Sequence, residues 1–266
     1  ALGSVLIPQL VGRLIQSDGW RAGYVGMGCI ILLYGLPIMF FFLREPVGSN
    51  EMSRRETASS QPVVAPIGLT WKETMQTRTF WTLFLALFLG PFAIVGTIGQ
   101  AFPMLTERGF TPQTALNAIS SLYIGGMTGQ LTSGFLLDRI NTPKIAIPFF
   151  AVCLVGMALL YSTNNPSLLL PSALMIGIAQ GSELGIGAYL ISRFFGLKAY
   201  GSIYSMIFAG ANVGLGVGFI TMANVHDRFG SYAPMAYVMP TALLLVIGLL
   251  LTLPAYKYPK QSAVSQ

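Results

Sequence analysis

The sequence predicts an all-α polytopic membrane protein, and its composition and apolar runs carry that prediction. Hydrophobic residues make up 53% of the 266-residue chain and charged residues 9%, whereas soluble domains carry about 25% charged residues. The apolar residues lie in uncharged runs of about 20, the length that a helix needs to cross the hydrocarbon core of a bilayer. Because these runs do not alternate apolar and polar residues, they favour helices over barrel strands.

Eight candidate membrane spans follow one another along the chain. The first looks truncated, and the chain opens inside it without an initiator methionine or a signal-peptide pattern, so we expect a fragment or a chain that lacks its natural start. The fifth is only just long enough to cross a bilayer. The spans lie at about residues 1–16, at about residues 22–43, between Arg78 and Glu107, between Arg108 and Asp138, and at about residues 145–161, 167–194, 199–225 and 233–254.

The basic residues predict how the spans are oriented. With the connection between the second and third spans inside, eleven Lys and Arg residues lie inside and three outside, while Arg13 lies within the first span. Cytoplasmic loops carry such an excess, so the C-terminus is predicted to be cytoplasmic. The inside residues are Arg44, Arg54, Arg55, Lys72, Arg78, Arg139, Lys144, Arg193, Lys198, Lys257 and Lys260, and the outside ones are Arg21, Arg108 and Arg228.

The long connection between the second and third spans predicts two helix bundles. It is polar and rich in Ser, Thr and Pro, which is typical of a flexible linker, and its end, Leu69–Arg78, is predicted to form a short interfacial helix. A weak echo between Gly3–Tyr24 and Gly216–Tyr237 supports two repeats. The predicted domains are 1–43, the last two helices of an N-terminal bundle; 44–78, a cytoplasmic linker; 79–256, a complete six-helix C-terminal bundle; and 257–266, a cytoplasmic tail.

Glycines predict which helix faces pack. Stripes of small residues let helix backbones approach closely in lipid. The sixth and seventh spans each carry three glycines at a spacing of four, and the fourth span carries two. We expect these faces to pack against neighbouring helices: Gly177, Gly181 and Gly185; Gly210, Gly214 and Gly218; and Gly125 and Gly129.

One carboxyl group, that of Glu183, interrupts the sixth span. An acidic side chain in mid-membrane costs several kcal/mol, so it is expected to face a wet cavity or a buried partner. At about 100° per residue Glu183 lies opposite the glycine stripe, on the same side as Gln180. A role in proton binding, a contact with substrate and a structural ion pair or hydrogen bond stay as alternatives for Glu183.

Uncharged polar residues on neighbouring spans extend this predicted cavity. For any one of them a hydrogen bond between helices is the commoner role. Pro91 and Pro103 are expected to kink the third span, as happens where helices line cavities. The candidate substrate and proton cavity consists of Glu183, Gln180, Gln100, Thr97, Tyr123, Asn212 and Ser205.

Catalytic, metal and nucleic-acid motifs are missing from the sequence. The net charge of +6 comes from basic residues in short gaps between apolar runs, which does not indicate a nucleic-acid partner. Cys29 and Cys153 lie inside apolar runs and predict neither a disulfide framework nor a metal site. His226 is expected to be a loop residue. Without a phosphate-binding loop or a His-Glu-x-x-His motif, we expect no enzyme, no metal and no cofactor.

Two stretches of the sequence resemble the major facilitator superfamily. The loop Gly134–Arg139 (GFLLDR) is similar to the G-x-L-x-D-R loop signature in its second-half copy, although residues 140–144 depart from the usual glycine and paired basic residues. The stretch Gly181–Tyr204, together with Asp227–Tyr232, resembles bacterial members of the monocarboxylate-porter and oxalate/formate-antiporter-like branch. The resemblance covers essentially the whole chain.

This resemblance implies a fold and a mechanism. The eight spans would correspond to the fifth through twelfth helices of a twelve-helix transporter in the bacterial inner membrane, with alternating access between two six-helix bundles. Asp138 and Arg139 would belong to a cytoplasmic gate and pair with Arg193 when the inside is closed. Oxalate-type members would carry cationic residues in the helices that line the cavity, whereas the interiors of the fourth and seventh spans here carry no Lys or Arg. This departure favours a monocarboxylate or another small organic solute over a dianion, unless the missing half supplies the charge.

Secondary transport of a small organic anion, coupled to protons, is therefore the leading hypothesis. Its predicted partners are a small-molecule substrate and the lipid bilayer, and protons if transport is coupled to them. Symport, antiport and uniport stay open. A non-transporting receptor or structural subunit of the same fold is the alternative, and it would use the linker for sensing or docking. An intramembrane enzyme is disfavoured because no nucleophile, base or metal set is present.

Overall fold

The computed structural model describes residues 11–12, 14–15, 19–42 and 67–258, and all its regular elements are helical. Most of the first predicted span, most of the linker and the end of the tail lie outside these residues. The chain divides into two compact units, one of residues 6–65 and the other of residues 66–266 with residues 1–5.

The smaller unit contains the second predicted span. Helix α1 (Trp20–Ile30) continues through a π-helical segment (Ile31–Gly35) into α2 (Leu36–Phe42). The stretch Trp20–Phe40 is long and apolar enough to cross a membrane. Glycines let it pack closely, since a β-carbon on Gly23 would lie 2.9 Å from the Ile15 side chain.

The larger unit contains six long helices and two short ones within the described residues. Four of its helical stretches are long and apolar enough to span a membrane: Arg78–Gly99, Pro143–Ser162, Pro166–Phe195 and Tyr200–Phe229. The elements are α3 (Trp71–Met75), α4 (Arg78–Gly99), α5 (Ala101–Glu107), α6 (Pro112–Arg139), a 3-10 turn (Pro143–Ala146), α7 (Ile147–Ser162), α8 (Pro166–Phe195), α9 (Tyr200–Phe229) and α10 (Met235–Leu251).

Two of the predicted spans differ from the expectation of about 20 apolar residues. Helix α10 is apolar but has 17 residues. Helix α6 has 28 residues but is not among the helices apolar enough to qualify. Its hydroxyl side chains bond to backbone carbonyls, as Thr128 does to Gly125 at 2.8 Å within α6 and Ser121 does to Leu170 of α8 at 2.8 Å. These bonds satisfy polar groups that apolar surroundings would otherwise penalise.

The long helices begin and end at residues that the sequence marks. The side chains of Thr77, Thr111 and Asn165 accept hydrogen bonds from the first turns of α4, α6 and α8. These are preferred N-cap residues because their oxygens satisfy free N–H groups. Helix α9 ends at Gly230, whose φ of 65° lies in the left-handed region that glycine adopts without strain.

The third predicted span is broken rather than merely kinked. Helix α4 runs through Pro91 without interruption, and the break falls at Gln100, where φ is −107° and ψ is 8°. Proline at position 103 lacks the N–H that would bond the carbonyl of Gly99 and crowds that carbonyl. The helix therefore ends one turn before Pro103 and restarts as α5.

The glycine stripes pack as predicted, with one exception. A β-carbon on Gly177 or Gly181 of α8 would lie 1.8 Å from a carbonyl oxygen of α6, belonging to Leu122 or Gly126. The stripe glycines of α6 and α9 are also closely packed, with the nearest atoms at 2.0–2.4 Å, while Gly185 has no atom within 4 Å of such a carbon. The prediction for Gly185 was wrong because its position on the helix has rotated away from α6. The other stripe contacts join Gly125 to Leu174, Gly129 to Ile178, Gly210 to Phe84, Gly214 to Phe88 and Gly218 to Phe92.

These close approaches arrange the larger unit around two central helices. Helix α8 packs between α6 and α7, and α4 packs between α9 and α10, with α10 also against α7. The side chains of Phe80, Met157 and Ile176 are fully buried where these helices meet. Helices α4 and α8 also contact each other, which brings Glu183 to the face of α4.

The predicted short helix before α4 is present as α3. It begins with a capping box in which the Thr70 amide donates to Glu73 Oε2 at 2.7 Å and the Glu73 amide donates to Thr70 Oγ1 at 3.4 Å. Just before it, Leu69 donates to the carbonyl of Phe195 at 2.8 Å, and Leu197 donates to that of Ile67 at 3.0 Å. This pairing fastens the chain preceding α3 to the end of α8.

Candidate functional site

A cavity of about 190 Å³ opens between α4, α8 and α9. Its walls are mainly aliphatic and aromatic, with a few polar groups. Small-molecule sites typically combine an apolar lining with a few placed polar groups. The lining residues are Leu87, Pro91, Val95, Gln180, Glu183, Leu184, Gly187, Ala188, Ile191, Tyr204, Ile207, Phe208, Ala211, Asn212 and Leu215.

Glu183 is the acidic residue of this wall. Its side chain is 7% exposed, and its Oε1 atom is buried without a hydrogen-bond partner in the described part of the chain. That oxygen lies against Gly90 of α4, beside the ring of Phe150. Within the described residues the ion pairs within 4 Å involve His226 and not Glu183. An ionised carboxylate here would lose water without gaining a counter-charge, a cost that a protonated carboxyl does not bear.

Helix α4 offers an unused acceptor on the same wall. Pro91 has no N–H, so the carbonyl of Leu87 lacks the donor that a helix normally supplies. Leu87 and Pro91 both line the cavity, and the Leu87 side chain contacts Gly187, one turn from Glu183. The α4 wall of the cavity is thus apolar, and its helix lacks one backbone hydrogen bond at Pro91.

The structure brings three of the predicted cavity residues together. Gln180 and Glu183 of α8 and Asn212 of α9 line the cavity. The Asn212 side-chain amide donates to the carbonyl of Phe208 at 2.8 Å, which leaves its oxygen and second N–H available. The other four predicted residues are not among the lining residues. Tyr123 is half-buried on α6, and Ser205 is exposed and donates to the carbonyl of Ser202 at 3.0 Å.

Thr97 and Gln100 instead take part in contacts toward the Arg108 end of the bundle. The buried Thr97 hydroxyl bonds the carbonyl of Ala93 at 2.8 Å and lies 3.2 Å from the Tyr161 hydroxyl. Gln100, at the break between α4 and α5, accepts from the Tyr232 hydroxyl at 3.2 Å. Thr97 therefore makes a hydrogen bond between helices, as is common for polar residues of membrane helices. Gln100 instead bonds to the turn between α9 and α10.

A contact between two side chains joins α5 and α9 at that end of the bundle. His226 Nε2, at the end of α9, lies 3.0 Å from Glu107 Oε2 of α5. The Tyr232 ring stacks on His226 with 4.6 Å between ring centres. Burial raises the pKa of Tyr232, so its hydroxyl stays a donor to Gln100. The prediction that His226 is a loop residue was wrong, because α9 continues to Phe229 and includes it. Its side chain joins α9 to α5.

The three predicted gate residues lie at the opposite end, near the ends of α6 and α8. Arg193 is 4% exposed, and its Nη2 donates to Asn141 Oδ1 at 2.5 Å, while Nε and Nη1 have no hydrogen-bond partner in the described chain. The guanidinium lies 4.7 Å from the Tyr256 ring centre. Arg139 lies over the Phe135 ring at 4.0 Å. Asp138 is the last acidic residue of α6, next to Arg139.

Sequence reasoning missed the aromatic part of the cavity. It did not include Tyr204 or Phe208 among the candidate cavity residues, and on α4 it singled out Pro91 as a kink but not Leu87. The signal for the aromatic residues was their spacing of four, Tyr200, Tyr204 and Phe208, which stacks side chains on one helix face. Leu87 carried no comparable signal, because only helix packing brings it near Glu183.

The comparisons with known proteins agree with this architecture. The family model described as Major Facilitator Superfamily matches residues 1–219 and residues 101–265. The chain belongs to the major facilitator superfamily. The structure is also similar to that of the fucose:proton symporter FucP of Escherichia coli. The two compare with a TM-score of 0.59 at 14% sequence identity, over 89% of this chain and 54% of that one. At that identity the likeness shows the fold, here that of part of a major facilitator protein.

Relatives within the superfamily are transporters rather than enzymes. The uncharacterized MFS-type transporter YhjX of Escherichia coli is 24% identical over 220 residues, 80% of this chain and 52% of the relative. The gallate transporter of Pseudomonas putida is 23% identical, covering 82% and 56%. The 4-hydroxybenzoate transporter PcaK of Pseudomonas aeruginosa is 26% identical, covering 67% and 40%. The chain thus spans about half the length of the curated relatives it matches.

Proposed function

We propose that this chain is part of a secondary transporter that moves a small organic anion, a monocarboxylate, by alternating access and in symport with protons. The observation that carries the proposal is Glu183, a nearly buried carboxyl group on a cavity wall without an ionic partner in the described chain. Ionisable groups inside membrane bundles mark proton or substrate pathways. Glu183 would bind a proton in the loaded state and release it when the cavity becomes wet.

A monocarboxylate fits the charge of this cavity. Its lining residues include one carboxyl group and no Lys, Arg or His. An arriving carboxylate would meet a protonated Glu183, and the two groups would share one proton, as paired carboxyl groups do. A dianion would bring a second charge for which the described lining has no partner. The names of two relatives, for gallate and 4-hydroxybenzoate, support a carboxylic acid as substrate.

The finer assignments from the sequence belong to this proposal. We place the chain in the monocarboxylate-porter and oxalate/formate-antiporter-like branch on the residues between Gly181 and Tyr204. Residues 1–43 would belong to an N-terminal bundle, residues 44–78 to a cytoplasmic linker, residues 79–256 to the C-terminal bundle and residues 257–266 to a cytoplasmic tail, in the inner membrane of a bacterium. Thr97, Gln100, Tyr123 and Ser205 would reach the substrate path in another conformation.

The gate residues would act at the cytoplasmic end of this bundle. Two buried nitrogens of Arg193, Nε and Nη1, have no hydrogen-bond partner in the described chain. A buried guanidinium gains most from a carboxylate, which accepts two of its N–H groups at once. We propose that Asp138 supplies that carboxylate when the inside closes, while Arg139 keeps its contact with Phe135. Opening would return Arg193 to the Asn141 side chain.

Reconstituted protein tests the role of Glu183. The protein is placed in proteoliposomes and supplied with labelled acetate, lactate, benzoate and gallate, and protein-free liposomes correct for passive entry. Two assays are compared, accumulation driven by an imposed pH gradient and exchange of internal for external substrate at equal pH. Glu183→Gln should abolish accumulation and keep exchange, because exchange needs no net proton transfer. Glu107→Gln removes a carboxyl outside the cavity and should retain both.

Two results would contradict the proposal. Accumulation at the wild-type level by Glu183→Gln would exclude Glu183 as the proton carrier while leaving transport intact. An absence of both accumulation and exchange of every probe by the folded wild-type protein would favour a non-transporting receptor or structural subunit. A cooperative thermal unfolding transition of Glu183→Gln in detergent would show that the variant is folded.

A further inference from the structure

Three aromatic rings of α9 stack on one another along the helix. The ring centres of Tyr200 and Tyr204 are 5.7 Å apart with an angle of 20° between planes, and those of Tyr204 and Phe208 are 5.7 Å apart with an angle of 11°. Near-parallel rings at this distance are in the range of offset stacking. We call these three residues the aromatic ladder. Its rings share one orientation, so its free end presents a defined plane.

The ladder ends inside the cavity. Tyr204 and Phe208 are lining residues, whereas Tyr200 is not and its hydroxyl donates to the carbonyl of Ala188 at 3.4 Å. Phe208 is 41% exposed, although α9 buries its glycine face against α4. Because this ring is open in the cavity wall, a ligand in the cavity can reach it. Tyr200 thus anchors the ladder, and Phe208 is its ligand-facing end.

The cavity has the size for one small ring. An apolar cavity of about 150 Å³ is enough to bind benzene in a protein interior, and this cavity has about 190 Å³. The remaining space suits a carboxyl group on that ring. Asn212 follows Phe208 by one helical turn, and Gln180 and Glu183 line the facing helix. A flat ring on Phe208 would therefore have polar groups at its edge.

We propose that the aromatic ladder is the specificity-determining element of the cavity, with Phe208 stacking on the ring of an aromatic monocarboxylate. This inference rests on the proposed function, from which it takes that the substrate carries one carboxylate. It adds which monocarboxylates the cavity selects. Leu87, Pro91 and Val95 give the same cavity an apolar wall. A planar ring can stack on Phe208 inside this cavity, while a puckered ring with the same number of carbon atoms is thicker and stacks poorly.

Binding to the purified protein separates this inference from transport. Equilibrium dialysis in detergent compares labelled benzoate with cyclohexanecarboxylate, which carries the same carboxyl group on a non-planar ring. The wild-type protein should bind benzoate about two- to tenfold more tightly, the range of an aromatic pair. Phe208→Leu should remove that preference and Phe208→Tyr should keep it. Phe229→Leu changes an exposed ring at the far end of α9 and should leave the preference unchanged.

The possible outcomes distinguish the role of the aromatic ladder from the proposed transport of monocarboxylates. Equal affinity of the wild type for the two acids, or a preference that survives Phe208→Leu, would overturn the role of the ladder even if the protein transports monocarboxylates. A benzoate preference that depends on Phe208 would support it even if no probe is transported in proteoliposomes. A loss of preference in Phe229→Leu would show a general structural effect and would also count against the ladder.

Discussion

The Glu183 carboxyl lies directly against the backbone of Gly90. A β-carbon on Gly90 would be 2.5 Å from Glu183 Oε1 and 3.3 Å from the Phe150 ring. Glycine at this position of α4 therefore makes the space that the carboxyl occupies. Pro91 follows it and removes a helix hydrogen bond from the Leu87 carbonyl. The pair Gly90–Pro91 shapes the environment of a residue that lies about 90 positions away in the chain.

Gly90→Ala should move Glu183 without unfolding the protein. The new methyl group meets the end of a flexible side chain, which can rotate away, and alanine favours a helix by about 1 kcal/mol over glycine. We expect the thermal stability of the variant to stay near that of the wild type. Its accumulation of substrate under a pH gradient should fall by at least as large a factor as its exchange of substrate at equal pH. Gly185→Ala is the matched control on α8, since its β-carbon meets no atom within 4 Å. Wild-type accumulation by Gly90→Ala would show that this contact is not needed.

Gly181→Ala should destabilise the larger unit. Its β-carbon would lie 1.8 Å from the carbonyl oxygen of Gly126, so α6 and α8 must separate along their whole contact. Overpacking of this kind costs about 3 kcal/mol. Thermal unfolding in detergent should show a clearly lower midpoint than for Gly185→Ala. Equal midpoints for the two variants would mean that the contact between α6 and α8 is less rigid than the structure indicates.

Arg108→Met should loosen the end of α7. The Arg108 guanidinium donates to the carbonyl of Leu160 at 2.6 Å and to the carbonyl of Thr163, which are acceptors that a helix end leaves unpaired. Partial burial lowers the pKa of Arg108, but arginine stays charged at any pH that proteins tolerate. We expect a loss of about 2 kcal/mol that is independent of pH, measured as faster amide exchange at the end of α7. Arg228→Met, at an exposed cation, should have no such effect.

The capping box of α3 should weaken in acid. The hydrogen bond from the Thr70 amide lowers the pKa of Glu73. The carboxylate form thus supports the helix start at neutral pH, and this support disappears as the pH falls through the lowered pKa, below the usual glutamate value of about 4.3. Amide exchange at Thr70, corrected for its intrinsic pH dependence, should rise in that range. Glu73→Gln should remove the transition, and a transition that persists in this variant would assign it to another group.

Much of the fold could be predicted from the sequence because membrane helices carry their own signal. Uncharged runs located the helices, whereas the N-cap residues Thr77 and Asn165, at which α4 and α8 begin, were not singled out. The glycines of α8 and α9 predicted the packed faces of these helices. The spacing of Glu183 from the glycines of α8 predicted that its side chain lies on a different face. The break at Gln100 could not be predicted, since a proline in the sequence shows that a helix is disturbed but not whether it bends or ends.

The candidate site, like the fold, could be predicted from the sequence only in part. The sequence by itself determined that Glu183 lies within a membrane helix, opposite a glycine face, because composition and helical period are local properties. Only the tertiary structure decided that Gly90, Pro91 and Phe208 surround the same cavity and that Thr97 and Gln100 bond elsewhere. These relations depend on how far each helix is rotated and shifted against its neighbours. That rotation is set by backbone contacts such as Gly181 on Gly126, which no single stretch of sequence specifies.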